Sequence, residues 1–321
     1  MSALPVHRNA PFHPRRLGHA NIFVGDYEKA ADFYRDIAGF EEVYRQPDNR
    51  ASFHSNGNTY HDLGLTDIRS RYAEPGQRPD LYHLALEVDT EANLVAGYNR
   101  SKAAGLAYEF VADHDVARSL YLRDPDGNLF ELYADVVQDW RSARHGIIIK
   151  EKPQWVPGVT SPPLTEPLHP MNPEIRVVRD AVFHPDRITH MGIVTKNYAA
   201  MLRFYTETVG LTILAGGESA SFAVLQGSAG IGDLTFYKPQ PGLEPGMHHL
   251  GFQVRDEASL ERSIRECAAK GIKIECDVDS PVRRSVSIRD PDGLRLDFGV
   301  ARNWTPAAIN NLDSETALAI L

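Results

Sequence analysis

The chain has 321 residues, 42% of them hydrophobic and 24% charged, and a formal net charge of −9 at pH 7. This length corresponds to two ordinary domains of roughly 150 residues each, and the composition is that of a globular protein with buried cores. The acidic balance, without any basic run, argues against nucleic acid as the main partner.

Residues 1–16 contain prolines, histidines and arginines without periodicity, and we predict that they form an N-terminal arm. They lack the apolar core of roughly 7–15 residues that a signal peptide needs, and no run approaches the roughly 18 apolar residues of a membrane span. We therefore expect a cytoplasmic protein without a membrane partner. Cys267 and Cys276 do not form a CxxC pair, so the sequence predicts neither a disulfide framework nor a thiolate zinc site.

The first regular pattern is a strand, a helix and three further short strands. Residues 17–24 form an apolar run typical of a strand, Asp26 is a candidate N-cap, and Gly39 ends the helical pattern that follows. The three strand candidates, separated by Pro, Asp, Asn and Gly residues, are 41–44, 51–55 and 60–65.

A second unit of the same kind follows. It begins with a strand at 82–88 and a helix at 91–104, continues with a strand near Tyr108, and ends in a β-hairpin at 114–133. We place the first domain, which contains both βαβββ units, at residues 17–140.

The hairpin is predicted to place Glu131 inside an apolar strand. Its turn is the tetrapeptide DPDG at 124–127, in which proline and glycine favour a tight reversal. The flanking residues alternate with the period of a strand, so the pleat sets the direction of the Glu131 side chain. Because an isolated buried charge costs several kcal/mol even after relaxation, this carboxylate is expected to face a cation.

The same pattern restarts after a proline-rich segment at 141–187, which we predict to be a linker or an ordered wrap. We place the second domain at 188–300 and a C-terminal tail at 301–321. The long-range self-similarity indicates a duplication. The predicted fold class is α+β, with four βαβββ units in two domains.

Two histidines and one carboxylate recur at equivalent positions of the two halves. His19 and His83 lie in the first strand of their units and Glu131 in a last strand, so a pseudo-twofold pair of units can bring them together. Two imidazoles and one carboxylate that leave open positions suit non-haem Fe(II) and O₂, whereas zinc sites are more often tetrahedral. A single histidine is more often a core residue, but three such groups at matching places favour a metal site. The parallel residues of the second half, either a second site or a relic of duplication, are His190, His249 and Asp297.

The repeated units, the His–His–Glu trio and the sequence YLRDPDGNLFELY resemble the vicinal oxygen chelate superfamily. Within it they resemble the two-domain type I extradiol ring-cleavage dioxygenases of the catechol 2,3-dioxygenase type. The resemblance covers residues 17–140 well and 188–300 as fold only. It implies an Fe(II) cofactor, with Mn(II) as an alternative, a catechol-type substrate from aromatic catabolism, and O₂. We also expect a homo-oligomer.

The resemblance implies three further site residues. His61, in the motif HDLGL, matches the acid–base histidine of such enzymes, and Tyr121 stands ten residues before Glu131, where a tyrosine hydrogen-bonds the substrate oxygen. His114 resembles a further pocket histidine. Alignment of the halves puts Gly232 at the place of His61 and Ser287 at the place of Tyr121. We therefore predict that the first domain is catalytic and the second structural, although the C-terminal domain is the active one in the commonest two-domain arrangement.

Two alternatives remain at this point. One is a metal-dependent isomerase or lyase of the glyoxalase type, which usually wants a second metal-bound glutamate as base where this chain has His61. The other is a non-catalytic small-molecule binding protein of the same fold, against which the intact trio with His61 and Tyr121 argues.

Overall fold

Two mixed β-sheets, of nine and eight strands, form the frame of the protein in a computed structural model that describes residues 9–48, 50–148 and 153–321. Residues 1–8 of the predicted arm lie outside the described part. The first half contains two βαβββ units and two short elements after them. In chain order its elements are β1 (Arg16–Val24), α1 (Tyr27–Asp36), β2 (Glu42–Arg45), β3 (Ala51–His54), β4 (Leu63–Asp67), β5 (Asp80–Glu87), α2 (Glu91–Ala103), β6 (Phe110–Asp113), β7 (Ala117–Arg123), β8 (Leu129–Asp135), α3 (Trp140–Ala143) and β9 (Gly146–Ile147).

The second half repeats the order of the two βαβββ units and ends in two short helices, and a π-helical turn at Phe204–Thr208 extends its first helix. The observed architecture confirms the predicted α+β class with four βαβββ units. In chain order its elements are β10 (Pro185–Val194), α4 (Tyr198–Arg203), β11 (Thr212–Gly216), β12 (Phe222–Gln226), β13 (Leu234–Tyr237), β14 (Gly246–Val254), α5 (Glu257–Lys270), β15 (Cys276–Asp279), β16 (Arg283–Arg289), β17 (Arg295–Ala301), α6 (Pro306–Asn310) and α7 (Ser314–Ile320).

Local chemistry accounts for the bounds of α1. The Asp26 carboxylate accepts a hydrogen bond from the Lys29 backbone N–H at 3.3 Å, which caps the first turn. Ala30 and Tyr34 are among the buried residues of its inner face. Gly39, three residues beyond the helix, has a φ of +83°, a conformation that glycine adopts without strain.

Each sheet has its two longest strands at its centre. The first sheet has the order β6-β7-β8-β5-β1-β4-β3-β2-β9, and the second has the order β11-β12-β13-β10-β14-β17-β16-β15. Strands β1 and β5 pair antiparallel, while β1 with β4 and β5 with β8 pair parallel. Strand β4 begins at Leu63, so His61 lies in the loop before it rather than in the strand predicted from Tyr60.

Hydrogen bonds join the two halves in reciprocal pairs. In each pair, a contact that a residue of the first half makes with the second half has an equivalent made by the corresponding residue of the second half with the first. Each DPDG turn contacts the first helix of the other half, and one buried aspartate of each half accepts a backbone N–H from the first strand of the other. The pairs are Tyr34 with Asp290, Tyr205 with Asp124, Gly25 with Asp292, Lys196 with Asp126, Ile188 with Asp62, and Leu17 with Asp233. A continuous apolar core includes residues of both halves.

The segments outside the repeated units are more ordered than a linker and a tail would require. Trp155 and Phe183, in the proline-rich segment, are buried in the core. Residues 306–310 and 314–320 are helical, and Ile320 is buried against the second sheet. The exact domain boundaries stay a prediction. In the described part of the chain, none of the helices combines the length and apolar character of a membrane span.

Candidate active site

The register of the central strands brings His19, His83 and Glu131 to one face of the first sheet. Ala85 on β5 pairs with His19 on β1 and with Glu131 on β8, so these residues form one row across three strands. His83 precedes Ala85 by two residues and therefore points to the same face. Tyr121 extends the row, because it pairs with Glu131 from β7.

The three side chains are buried and their ligand atoms lie within 4.8 Å of one another. The Oε2 atom of Glu131 lies 3.1 Å from Nε2 of His19 and 3.2 Å from Nε2 of His83. Burial alone would raise the pKa of Glu131, but the two histidines outweigh it and hold that pKa well below its ordinary range. The carboxylate is therefore ionised.

This arrangement fits a divalent cation. The Oε1 atom of Glu131 is buried and has no hydrogen-bond partner among the described residues. A buried carboxylate with an unused oxygen and two imidazole nitrogens beside it is a costly arrangement without a positive charge. Two histidines and one carboxylate are the ligand set of open Fe(II) sites.

The trio forms the floor of a cavity of about 740 Å³. This volume lies in the range of roughly 300–1,000 Å³ that is typical of small-molecule sites. Seven of the 21 residues that line it are tyrosine or phenylalanine, which suits a planar aromatic ligand. Aromatic residues of the wall are Tyr44, Phe53, Tyr60, Tyr72, Tyr82, Phe110 and Tyr121.

His61 lies in this cavity against the trio. Its ring centroid is 4.0 Å from that of His19, and its Nδ1 atom lies 3.0 Å from the Tyr44 hydroxyl. The Nε2 atom is buried and has no hydrogen-bond partner within the described part of the chain. Burial lowers the pKa of His61 well below its ordinary value, so the ring is neutral. A neutral imidazole with one engaged nitrogen can exchange a proton at the other.

Tyr121 and His114 lie on the opposite wall. The Nε2 atom of His114 is 3.0 Å from the Tyr121 hydroxyl, and the Tyr121 ring lies edge-on to His83 at 5.5 Å between centroids. Burial and the nearby Glu131 raise the pKa of Tyr121 well above its ordinary value. This hydroxyl therefore stays protonated and can donate a hydrogen bond. The structure thus brings all six predicted first-half residues into one cavity.

The cavity also contains residues that sequence reasoning missed, notably Tyr44 and Arg144. Tyr44 lies in a predicted strand, but nothing in its pattern points to a partner 17 residues away. Arg144 falls in the segment that was predicted to be a linker because of its many prolines, so no pattern assigned it to the cavity wall. Their contacts arise from tertiary packing and have no local signal.

The second trio, His190, His249 and Asp297, also comes together, with ligand atoms within 4.8 Å. Its surroundings differ from those of the first. Arg295 makes a bidentate pair with Asp297, with both N–O distances at 2.9 Å. Arg283 is buried, and its guanidinium lies 3.0 Å from Nε2 of His190.

These two guanidiniums supply the positive charge that the first trio lacks. Burial lowers the pKa of Arg283 only to about 10, so it remains charged at neutral pH. A divalent cation beside two guanidiniums would be repelled. The same arginines donate hydrogen bonds to the carbonyl groups of Leu318, Ala319 and Ile320 at the end of α7.

Within the described residues, the second half also lacks counterparts of His61 and Tyr121. Gly232 occupies the place of His61 and has a φ of +98°, and Ser287 pairs with Asp297 as Tyr121 pairs with Glu131. Neither residue offers an imidazole or a phenol.

The fold and the site define a member of a known superfamily. The family model described as the Glyoxalase/Bleomycin resistance protein/Dioxygenase superfamily matches residues 16–132 and 187–298, so the chain belongs to this superfamily. This result confirms the resemblance to vicinal oxygen chelate proteins and fits the two-domain type I extradiol dioxygenases.

Particular relatives narrow the class. The chain is 27% identical to a catechol-2,3-dioxygenase of Bacillus subtilis (strain 168) over 216 residues, 67% of this chain and 70% of that protein. It is 23% identical to a manganese-dependent 2,3-dihydroxybiphenyl 1,2-dioxygenase of Geobacillus genomosp. 3 over 304 residues, 88% and 84% of the two chains. Both relatives are dioxygenases of aromatic diols, which supports a ring-cleavage dioxygenase.

Solved structures agree in fold. The 2,3-dioxygenase LapB from Pseudomonas sp. KL28 has a TM-score of 0.66 at 17% identity, and the match covers 90% of this chain and 93% of the LapB chain. The Mn(II)-bound glyoxalase from Novosphingobium aromaticivorans has a TM-score of 0.63 at 15% identity, and the match covers 91% of this chain and 85% of the glyoxalase chain. At these identities the likeness shows the fold alone.

Proposed function

We propose that the protein is a metal-dependent extradiol dioxygenase that cleaves a catechol-type ring with O₂ next to its vicinal hydroxyl groups. Fe(II) is the proposed metal, with Mn(II) as the alternative. The observation that carries the proposal is the position of His19, His83 and Glu131 at the floor of an aromatic cavity, with His61 and Tyr121 facing it. The named relatives support the same reaction class.

His19, His83 and Glu131 would hold the metal. When bound, the ion would bring the two hydroxyl oxygens of a catechol and O₂ to one centre and pass electrons between them. The aromatic wall would orient the substrate ring and exclude water. A divalent ion held by one carboxylate and two neutral imidazoles would retain a net positive charge, which would favour the deprotonated catechol.

His61 is the proposed acid–base group. His61 lines the cavity, its ring is neutral, and its Nε2 atom has no hydrogen-bond partner among the described residues, so it could take a proton from a catechol hydroxyl and return it later in the reaction. Tyr121, protonated and on the other wall, is placed to donate a hydrogen bond to a substrate oxygen. His114, 3.0 Å from the Tyr121 hydroxyl, would fix the direction of that hydroxyl.

A glyoxalase-type isomerase or lyase is the alternative within the same superfamily. Such an enzyme usually needs a metal-bound glutamate as base where this chain has His61, and His61 contacts the Tyr44 hydroxyl instead. The seven aromatic residues of the cavity wall also favour an aromatic substrate over a small aldehyde adduct.

Metal loading followed by a substrate screen tests the proposal. The chain would be loaded anaerobically with Fe(II) or Mn(II) and offered substituted catechols in the presence of O₂, with the yellow ring-fission product as readout. We expect His19→Ala, His83→Ala and Glu131→Ala to lose bound metal and activity together. His145→Ala, a change at an exposed histidine outside the trio, is the control.

Two results would contradict the proposal. Full metal content in all three ligand variants would refute the site assignment. Conversion of a hemithioacetal by the loaded protein, without cleavage of any catechol, would favour the glyoxalase-type alternative.

A further inference from the structure

Arg144 connects the two proposed proton-handling groups of the cavity. It follows the last residue of α3, and its side chain is only 7% exposed. It lines the cavity although it lies beyond the last strand of the second βαβββ unit. A buried guanidinium in this place needs an explanation, because desolvation of a charge is costly unless its contacts compensate.

One face of the guanidinium leads to His61. The Arg144 guanidinium carbon lies over the Tyr44 ring, 5.2 Å from its centroid. Tyr44 is buried and stacks on Phe53 with 4.5 Å between the ring centroids, which fixes its plane. Its hydroxyl contacts Nδ1 of His61 at 3.0 Å. The arginine therefore reaches the proposed acid–base group through a single tyrosine.

The other contacts of the guanidinium lead to Tyr121. A terminal nitrogen of Arg144 donates a hydrogen bond to the backbone carbonyl of His114 and lies 3.2 Å from the Asp115 carboxylate. Among the described residues, Asp115 is the one non-glycine residue with positive φ, at +64°. Such a conformation is uncommon outside glycine and is held by its surroundings. The same turn presents His114 to the Tyr121 hydroxyl.

We propose that Arg144 is a positioning residue for the reaction, holding His61 through Tyr44 and Tyr121 through His114. This inference rests on the proposed dioxygenase function for its catalytic consequence. The guanidinium carbon lies over the tyrosine ring while a terminal nitrogen donates to the turn, and a planar guanidinium can make both contacts at the same time. Lysine, a point charge on a flexible stem, cannot make both contacts.

The kinetic test separates positioning from substrate binding. Arg144→Lys and Arg144→Met should keep bound metal and lower kcat by roughly 10²-fold with KM changed little, because small displacements of catalytic groups are costly. Combining Arg144→Lys with Tyr44→Phe should lower kcat by less than the product of the single effects. Guanidinium ion at a non-denaturing concentration should partly restore kcat in Arg144→Ala.

Arg141→Met is the matched control. Arg141 lies three residues earlier in α3, stacks on the Trp140 ring at 4.5 Å and pairs with Glu41 at 3.1 Å, away from the cavity trio. Its removal should affect stability without changing kcat. If Arg144→Lys raises KM for carboxylated catechols alone and leaves kcat unchanged, Arg144 binds substrate and the positioning proposal is wrong.

A spectroscopic measurement makes the inference independent of turnover. In the ¹⁵N-histidine spectrum of the Zn(II)-substituted full chain, Arg144→Met should shift the ring resonances of His61 and His114, assigned by His61→Phe and His114→Phe. Arg141→Met should shift neither. Unchanged resonances in Arg144→Met would overturn the inference whatever the activity. Shifted resonances in a protein that cleaves no catechol would instead contradict the proposed function.

Discussion

At the residue scale, His61 and Tyr121 are the groups on which the proposed chemistry depends most. They face the trio from opposite walls, one neutral and one protonated, and neither belongs to the proposed set of metal ligands. We expect His61→Phe and Tyr121→Phe to keep bound metal and lower turnover by roughly 10²–10⁴-fold, the loss typical of a positioned acid–base group. Metal analysis and steady-state kinetics of the same preparations would check this.

Tyr108→Phe is the control for the loss of a phenol hydroxyl. Tyr108 bonds Ser101 and lies outside the cavity lining, so its variant should turn over normally. A His61→Phe enzyme with normal turnover would show that the match to the motif HDLGL was accidental.

His54 should give the fold a measurable pH dependence. It is buried beside Ser52, and burial lowers its pKa from 6.5 to about 4. Below pH 6.5 the unfolded chain binds a proton that the folded chain excludes, so the free energy of unfolding falls as the pH falls. The contribution lost between pH 7 and pH 4 is about 3 kcal/mol.

Urea unfolding of the wild type and of His54→Asn at pH 7 and pH 4 would measure this contribution. The wild type should lose about 3 kcal/mol more than the variant over this interval, since the two chains share every other titrating group. Equal losses would show that His54 accepts a proton in the folded state.

The sequence predicted the site residues better than their supports. His19, His83 and Glu131 could be found because a duplication repeats their spacing and because a carboxylate in an apolar strand needs a cation. Tyr44 and Arg144 could not be found, since their contacts depend on how β2 and α3 pack against the loop before β4. Packing of this kind produces no periodic pattern in the sequence.

At the element scale, the DPDG turns have a second role that their sequence does not announce. The turn chemistry was predictable from proline and glycine. The carboxylate of Asp126 also accepts hydrogen bonds from the backbone N–H groups of Lys196 and Asn197, at 2.7 and 3.0 Å, where α4 begins in the other half. These contacts could not be predicted from the turn sequence, because they depend on how the two halves pack against each other.

Asp126→Ala should therefore destabilise the protein without affecting the site. Loss of two charge-assisted hydrogen bonds at a helix start is expected to lower the free energy of unfolding by about 1–2 kcal/mol. Asp32→Ala, which removes an exposed carboxylate paired with Arg35, should cost less than about 0.5 kcal/mol. Urea denaturation would measure both, and equal losses would contradict the role of the turn.

The C-terminal helices are the element that the sequence reading missed. Residues 301–321 were predicted to be a tail, but α7 covers the second trio and its last carbonyl groups accept hydrogen bonds from Arg283 and Arg295. Helices of five and seven residues give little periodic signal. Their stability comes from tertiary contacts rather than from propensity.

At the scale of the whole molecule, one duplicated fold carries two different charge arrangements. At a constant offset of 166 residues, Ala117 and Leu129 of the first half correspond to Arg283 and Arg295 of the second. The first trio lies open to the cavity, whereas the second lies under two guanidiniums and α7. In the second half the ring of His190 packs directly against Gly251. A side chain at position 251 would not fit there, because its Cβ atom would lie 1.8 Å from the His190 ring.

This difference leads to the prediction that each chain holds one metal ion and that the second half is structural. Asp297→Ala should leave metal content and specific activity near the wild-type values, whereas Glu131→Ala should lose both. Asp297→Ala should also lower the free energy of unfolding by about 3–5 kcal/mol, because it leaves the guanidinium of Arg295, whose side chain is only 12% exposed, without its carboxylate. Metal analysis, ring-cleavage assays and urea denaturation of the two variants would check this. The contrary result is a folded Asp297→Ala protein that has lost activity while Glu131→Ala keeps it, or two metal ions per wild-type chain of which Asp297→Ala removes one. Either result would mean that a metal ion displaces the guanidinium groups of Arg283 and Arg295 and that the second half contains a functional metal site.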